Sequence, residues 1–211
     1  MTYQISLTQF CNYLTKTSRQ KATEARNIAL SLADDYQKQT DYWLYLRNGV
    51  KHIMSTSGSA DDLDEIIEDV PHDRQQNYQF MINGLKRFWG QKEFQNIKLP
   101  KRTWKHSRIH VNINLEICGE YRNKVYLIKF YAHVNQSIRK DETDIILLLM
   151  HEALQHDIEQ YEAEGKQVIL GVLDVAKGKL HKYRAKSDEL STLVRIEAEV
   201  LNRYLADGLK D

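Results

Sequence analysis

The spacing of the apolar residues changes once along this chain, near residues 95–100, and that change limits the folds open to it. Before it, apolar residues recur at helical spacing. Leu7, Phe10, Cys11 and Leu14 follow a capping Ser6. Ala22, Ala25, Ala29, Leu32 and Tyr36 form a second stripe, and Trp43, Leu46, Val50 and Met54 a third. Leu63, Ile66, Ile67 and Val70 follow Ser59 and stop at Pro71; Tyr78, Met81, Leu85 and Phe88 complete the set. Helices are therefore expected over 6–16, 19–36, 41–54, 59–70 and 73–89, with a loop at 55–59 and no strand in the first 95 residues or so.

Beyond that point the spacing becomes two. Ile109, Val111, Ile113, Leu115 and Ile117 face one way, and His110, Asn112, Asn114 and Glu116 the other, which predicts one half-buried strand over 109–117. A turn is expected at Gly119–Lys124. Val125–Ala132 is apolar on both faces except at Lys129 and reads as a central strand. A helix from Asp141 to about Tyr161, strands over 167–175 and 179–184, and a helix capped by Ser187 running to about Ala206 complete the pattern. The expected fold class is α+β: an N-terminal bundle of about five helices packed on a small, mostly antiparallel four-stranded sheet with two helices, in the order ββαββα. The two regions, 1–99 helical and 100–211 α+β, are expected to pack as one unit, because the boundary near Leu99–Pro100 has no flexible tether.

Composition excludes several classes. At 211 residues, with 42% hydrophobic and 28% charged, the chain matches a globular protein and not a disordered one. Its two cysteines, Cys11 and Cys118, form no disulfide framework or zinc motif. The N-terminal stretch lacks the profile of a signal peptide, and the longest apolar run, Ile145–Met150, is far short of a membrane span. A soluble, cytoplasmic protein with no membrane partner is expected.

The net charge of +1 hides two segregated blocks. Residues 60–73 carry seven acids and no Lys or Arg. Residues 84–108 carry eight bases against Glu93 alone, with Phe88, Trp89, Phe94 and Trp104 interleaved. Basic plus aromatic residues compose single-strand nucleic-acid surfaces, where phosphates are neutralised and bases stack. The candidate binding residues are Lys86, Arg87, Trp89, Lys101, Arg102, Trp104, Lys105 and Arg108. The alternative is that the two blocks neutralise each other within the monomer.

Catalytic motifs are scarce. His151-Glu152-Ala-Leu-Gln-His156 fails as a zinc helix, because histidines five apart diverge by about 140° around the axis. His106 and His110, taken as one strand face, stand about 13 Å apart and share no metal. No phosphate-binding glycine loop or nucleophile elbow occurs, and no metal site is expected.

Three charges interrupt apolar patterns: Lys129, Asp174 and Glu197. A charge in such a position needs a partner. If Arg122-Asn123 is a two-residue turn, Tyr121 pairs with Lys124 and Glu116 falls opposite Lys129. An acid on one strand, a lysine on the next and a following helix resemble the core of PD-(D/E)xK nucleases over about residues 109–175. In that family an acid and an acid-x-lysine bind Mg²⁺ and activate water. The resemblance implies that Glu116 and Lys129 are catalytic, with Asp174, or else Glu152 or Glu197, as a candidate third group and Mg²⁺ as the cofactor. This chain departs from the pattern at Leu127, where the second acid belongs. The helical-then-hairpin order is also similar to that of small bacterial proteins, a likeness that brings no activity with it. The Glu116–Lys129 pair accordingly has three readings: a structural salt bridge, a remnant site without metal, or a working metal site.

The functional expectation is a non-catalytic binding or interaction protein with no cofactor, whose partner is a protein or a single-stranded nucleic acid held through 84–108. The alternative is a metal-dependent nuclease of the PD-(D/E)xK type, active or inactive. A self-associating structural protein is a third class.

Overall fold

The computed structural model describes residues 2–33, 41–56, 58–99, 101–185 and 187–208. It is an α+β protein with two sheets. The chain opens with β1 (Tyr3–Ser6), α1 (Leu7–Leu14), α2 (Ser18–Ala33) and α3 (Leu44–Ser55). Two 3₁₀ segments, Asp61–Asp69 and His72–Arg74, lead into α4 (Gln75–Trp89). Then come β2 (Gln95–Asn96), β3 (Arg102–His106), β4 (Ile109–Ile113), β5 (Ile117–Tyr121) and β6 (Lys124–Tyr131). Helix α5 (Lys140–Ala163), β7 (Gln167–Asp174), β8 (Lys179–Lys182) and α6 (Asp188–Gly208) finish the chain.

The last six elements follow the expected ββαββα order. Elsewhere four expectations are corrected. The N-terminal region is not all helix: β1 pairs in parallel with β4, Tyr3 beside Ile109, and β2 pairs with β5. The acidic segment is 3₁₀ rather than α. Its Ser59 still accepts from the Asp61 N–H. The strand expected over 109–117 is two strands in two sheets, β4 and β5, parted at Asn114–Glu116. Alternation alone cannot see this break, because both strands keep the same period. Finally, the main sheet has five strands in the order β2-β5-β6-β7-β8 and is mixed, since its central pair β6–β7 is parallel. The helix α5 makes the crossover, as a parallel connection requires. The expected ends at Tyr36 and Pro100, and Ser57 of the expected loop, lie outside the described residues.

Within the turn expected at Gly119–Lys124, the two-residue turn that the hairpin count supposes is present. Gly119–Tyr121 belong to β5, and Arg122 and Asn123 alone form the turn, with φ of 49° and 59°. Two positive φ values in a two-residue hairpin define a type I′ turn, whose twist suits the flanking strands.

The main sheet separates two cores. One face, with Val125, Leu127, Leu170 and Val172, packs with α1, α2, the three-stranded β1-β4-β3 sheet, α5 and α6. The other face, with Ile117, Ile128, Phe130 and Leu173, packs with α3, the long 3₁₀ segment and α4. The N-terminal helices therefore form no single bundle, and both cores mix residues from either side of position 99. Capping places α1 at the first core: Ser6 Oγ accepts from the Gln9 N–H while the Gln9 side chain accepts from the Ser6 N–H. At the second core α4 approaches closely, and a Cβ at Gly84 would stand 1.8 Å from the Val175 carbonyl oxygen.

Candidate functional site

The type I′ turn sets the register that brings Glu116 to Lys129. Tyr121 pairs with Lys124 and Ile117 with Ile128, so the next position puts Glu116 opposite Lys129. The Lys129 Nζ donates to Glu116 Oε1 at 2.8 Å, and the Phe130 backbone N–H donates to Oε2 at 2.7 Å. The Glu116 N–H in turn donates to the Ile128 carbonyl at 3.0 Å. Glu116 is buried, and both its oxygens are occupied within the hairpin.

Asp174 stands one strand away on the same sheet face, opposite Tyr131 in the parallel register. It is 1% exposed, its Oδ1 has no hydrogen-bond partner, and it makes no ion pair with Lys129 among the described residues. Glu142, near the start of α5, is held above its ordinary value near 4.5, chiefly by burial. Burial first, and then Glu142 and Asp174, push the Tyr131 phenol up to about 12. Glu197 lies elsewhere: its carboxylate takes Lys21 as ion-pair partner and accepts from the Tyr13 hydroxyl. The interrupting charges thus do not converge on one centre. Mg²⁺, which the nuclease resemblance implies, does not fit this donor set. Leu127 is fully buried core, Glu116 is committed to the hairpin, and no group of three His, Cys, Asp or Glu side chains converges among the described residues.

The His151–Glu152 pair serves packing between layers. His151 stacks on Tyr183 at 4.4 Å. Glu152 accepts from Trp104 Nε1 at 2.8 Å, from the Ser191 hydroxyl at 2.7 Å and from Arg195 at 3.0 Å, joining β3, α5 and α6. His106 and His110 sit on two antiparallel strands rather than one, with Lys105 opposite His110, and His106 lies 3.2 Å from Glu199.

The basic block divides by orientation. Trp89 and Trp104 are 0% and 4% exposed, so neither presents a ring to a base. Lys86 bridges to Asp64 at 2.6 Å, the one ion pair found between the acidic and basic blocks among the described residues. Arg87 donates to the Ala176 carbonyl, and Arg102 grips Asp157 with two bonds of 2.7 Å. Lys101, Lys105 and Arg108 are exposed and have no ion-pair partner among the described residues. The alternation of β3 explains the split: Arg102, Trp104 and His106 turn inward, and Lys101 and Lys105 turn outward. β3 is an edge strand of its sheet, and outward lysines also guard such an edge against pairing.

A cleft of about 220 Å³ opens at one end of this row. Lys51 of α3, Lys101 and Arg102 supply its cations, and Asn114, Leu115 and Cys118 form the wall that brackets Glu116. Ile113 and Leu154 also line it. Lys51, like Lys101, is exposed and without an ion-pair partner among the described residues. The Cys118 thiol is pushed up to about 12, first by burial and then by Glu116, against an opposing pull from Lys51. A larger depression of about 620 Å³ beside Phe80 is lined by neutral residues only, so it offers no charge to an anion. Sequence reasoning missed Lys51, because it lies on a separate helix about fifty residues from Lys101 and only the fold joins them.

No protein-family model, curated protein or solved structure matches this chain. No helix among the described residues is long and apolar enough to cross a membrane.

Proposed function

We propose that this protein is a non-catalytic nucleic-acid-binding protein that holds the phosphate backbone along β3 and in the Lys51–Lys101 cleft. The observation that supports the reading best is the row of cations with no ion-pair partner among the described residues, Lys51, Lys101, Lys105 and Arg108, running from the cleft along an edge strand to its turn. The interleaved aromatics are buried, so the grip is electrostatic and indifferent to base identity. Glu116, with both oxygens occupied, and Leu127, in place of the second acid, support binding without cleavage.

The competing reading is the metal-dependent nuclease. The succession of hairpin β5–β6, crossover α5 and parallel β7 favours it, since it follows the resembled core. Leu127 and the committed Glu116 weigh against it.

The test is fluorescence anisotropy of a labelled single-stranded oligonucleotide over a salt series. Four phosphate contacts give an expected slope of log affinity against log salt of about −3. The Lys51→Glu, Lys101→Glu double variant is expected to weaken binding by about tenfold or more and flatten that slope. Absence of salt-sensitive binding, or binding unchanged in the variant, overturns the reading.

A further inference from the structure

Helix α6 uses one face for the core and leaves another apolar face uncovered. Val194, Ala198, Leu201 and Leu205 are buried. Leu193, Ile196, Val200 and Tyr204 are 53%, 55%, 38% and 42% exposed. They follow the i, i+3, i+7, i+11 spacing of one helical stripe. Exposed large apolar residues are ordinary when scattered, but four in register on one helix mark a contact surface.

The charges at its ends name the occupant. Glu189 lies seven residues before Ile196 and Arg203 seven residues after, so all three share one row of the helix. Both charged residues are exposed and have no ion-pair partner among the described residues. Three further charges of α6 are engaged within the chain: Arg195 with Glu152, Glu197 with Lys21 and Glu199 with His106.

We propose that α6 docks on α6 of a second copy of this chain, antiparallel, about a two-fold axis passing beside Ile196. Such an axis sets Ile196 against its own copy and Leu193 against Val200. It also sets each Glu189 against the partner's Arg203, so one symmetric contact forms two ion pairs. Parallel pairing would place like charges together at both ends, which costs energy rather than supplying it. A three-turn stripe is smaller than the standard interface of about 800 Å² per partner, so the dimer is weak and concentration-dependent.

Sedimentation velocity from micromolar to millimolar concentration tests this. Wild type is expected to pass from monomer to dimer, and Ile196→Glu, at a position too exposed to threaten folding, is expected to stay monomeric. Glu189→Arg and Arg203→Glu are each expected to weaken the dimer about tenfold, and the double reversal to return it to within about threefold of wild type. That rescue separates a paired charge from general stickiness. A wild-type monomer throughout, a dimer indifferent to Ile196→Glu, or a double reversal that fails to rescue overturns the proposal. None of these residues lines the Lys51–Lys101 cleft, so nucleic-acid binding stands or falls separately.

Discussion

The Glu116 carboxylate combines burial, a cation and a backbone donor in one hairpin, and its stability effects follow from that. Truncating it leaves Lys129 without an anion and the Phe130 N–H without an acceptor. Glu116→Ala is expected to cost about 3 kcal/mol in urea denaturation, at the lower end for a broken buried pair because Lys129 retains some access to water. Replacing both partners, with Glu116→Leu and Lys129→Met, removes the unpaired charge and is expected to recover most of that loss. A cost below about 1 kcal/mol for Glu116→Ala would contradict a closed pair. Glu142 gives a dependence on pH. Burial holds its folded-state carboxyl above the ordinary value near 4.5, so the folded state keeps its proton longer than the unfolded one. Stability from this group is full below about pH 4.5 and is lost as pH rises through the folded value. Glu142→Gln is therefore expected to gain more stability relative to wild type at pH 7 than at pH 4, as read by denaturation at both; an equal difference at the two would contradict the burial cause.

Elements show where sequence reasoning reaches and where it stops. The hairpin was legible because a two-residue turn and a period of two fix every pairing, and Glu116–Lys129 follows by counting. The break between β4 and β5 was not, because Asn114–Glu116 keep the alternation while the backbone changes sheets. β1 escaped notice because four residues ahead of a helix carry little periodic signal, and its partner β4 lies about a hundred residues away. Trp89 and Trp104 were legible as aromatic but not as buried. That depends on which face α4 and β3 turn inward. Lys51 entered the cleft only through folding. At this scale Gly84 is diagnostic, since any Cβ there meets the backbone that follows β7. Gly84→Ala is expected to destabilise by about 3 kcal/mol, because the helix must move as a body to make room. A neutral result in thermal or urea unfolding would place α4 farther from the sheet than described.

At the scale of the whole molecule, one mixed sheet divides two cores, and the N-terminal helices are shared between them. α1 and α2 join α5 and α6 on one side, while α3 and α4 cover the other. The cationic row lies on the edge of the smaller sheet, and the cleft forms where α3, β4, β5 and α5 meet. Hairpin β5–β6, helix α5 and parallel strand β7 supply the frame, and position 127 in it holds a core leucine. On the reading proposed above, a protein built this way would retain a nucleic-acid strand and leave it whole. The most direct measurement incubates a labelled single-stranded oligonucleotide with excess protein in Mg²⁺ at low salt, then resolves the bound strand on a denaturing gel. The expected result is a retarded complex whose strand is recovered intact at full length, with retention lost in Lys51→Glu, Lys101→Glu. Shortened strands that require Mg²⁺ and vanish in Glu116→Gln would contradict it.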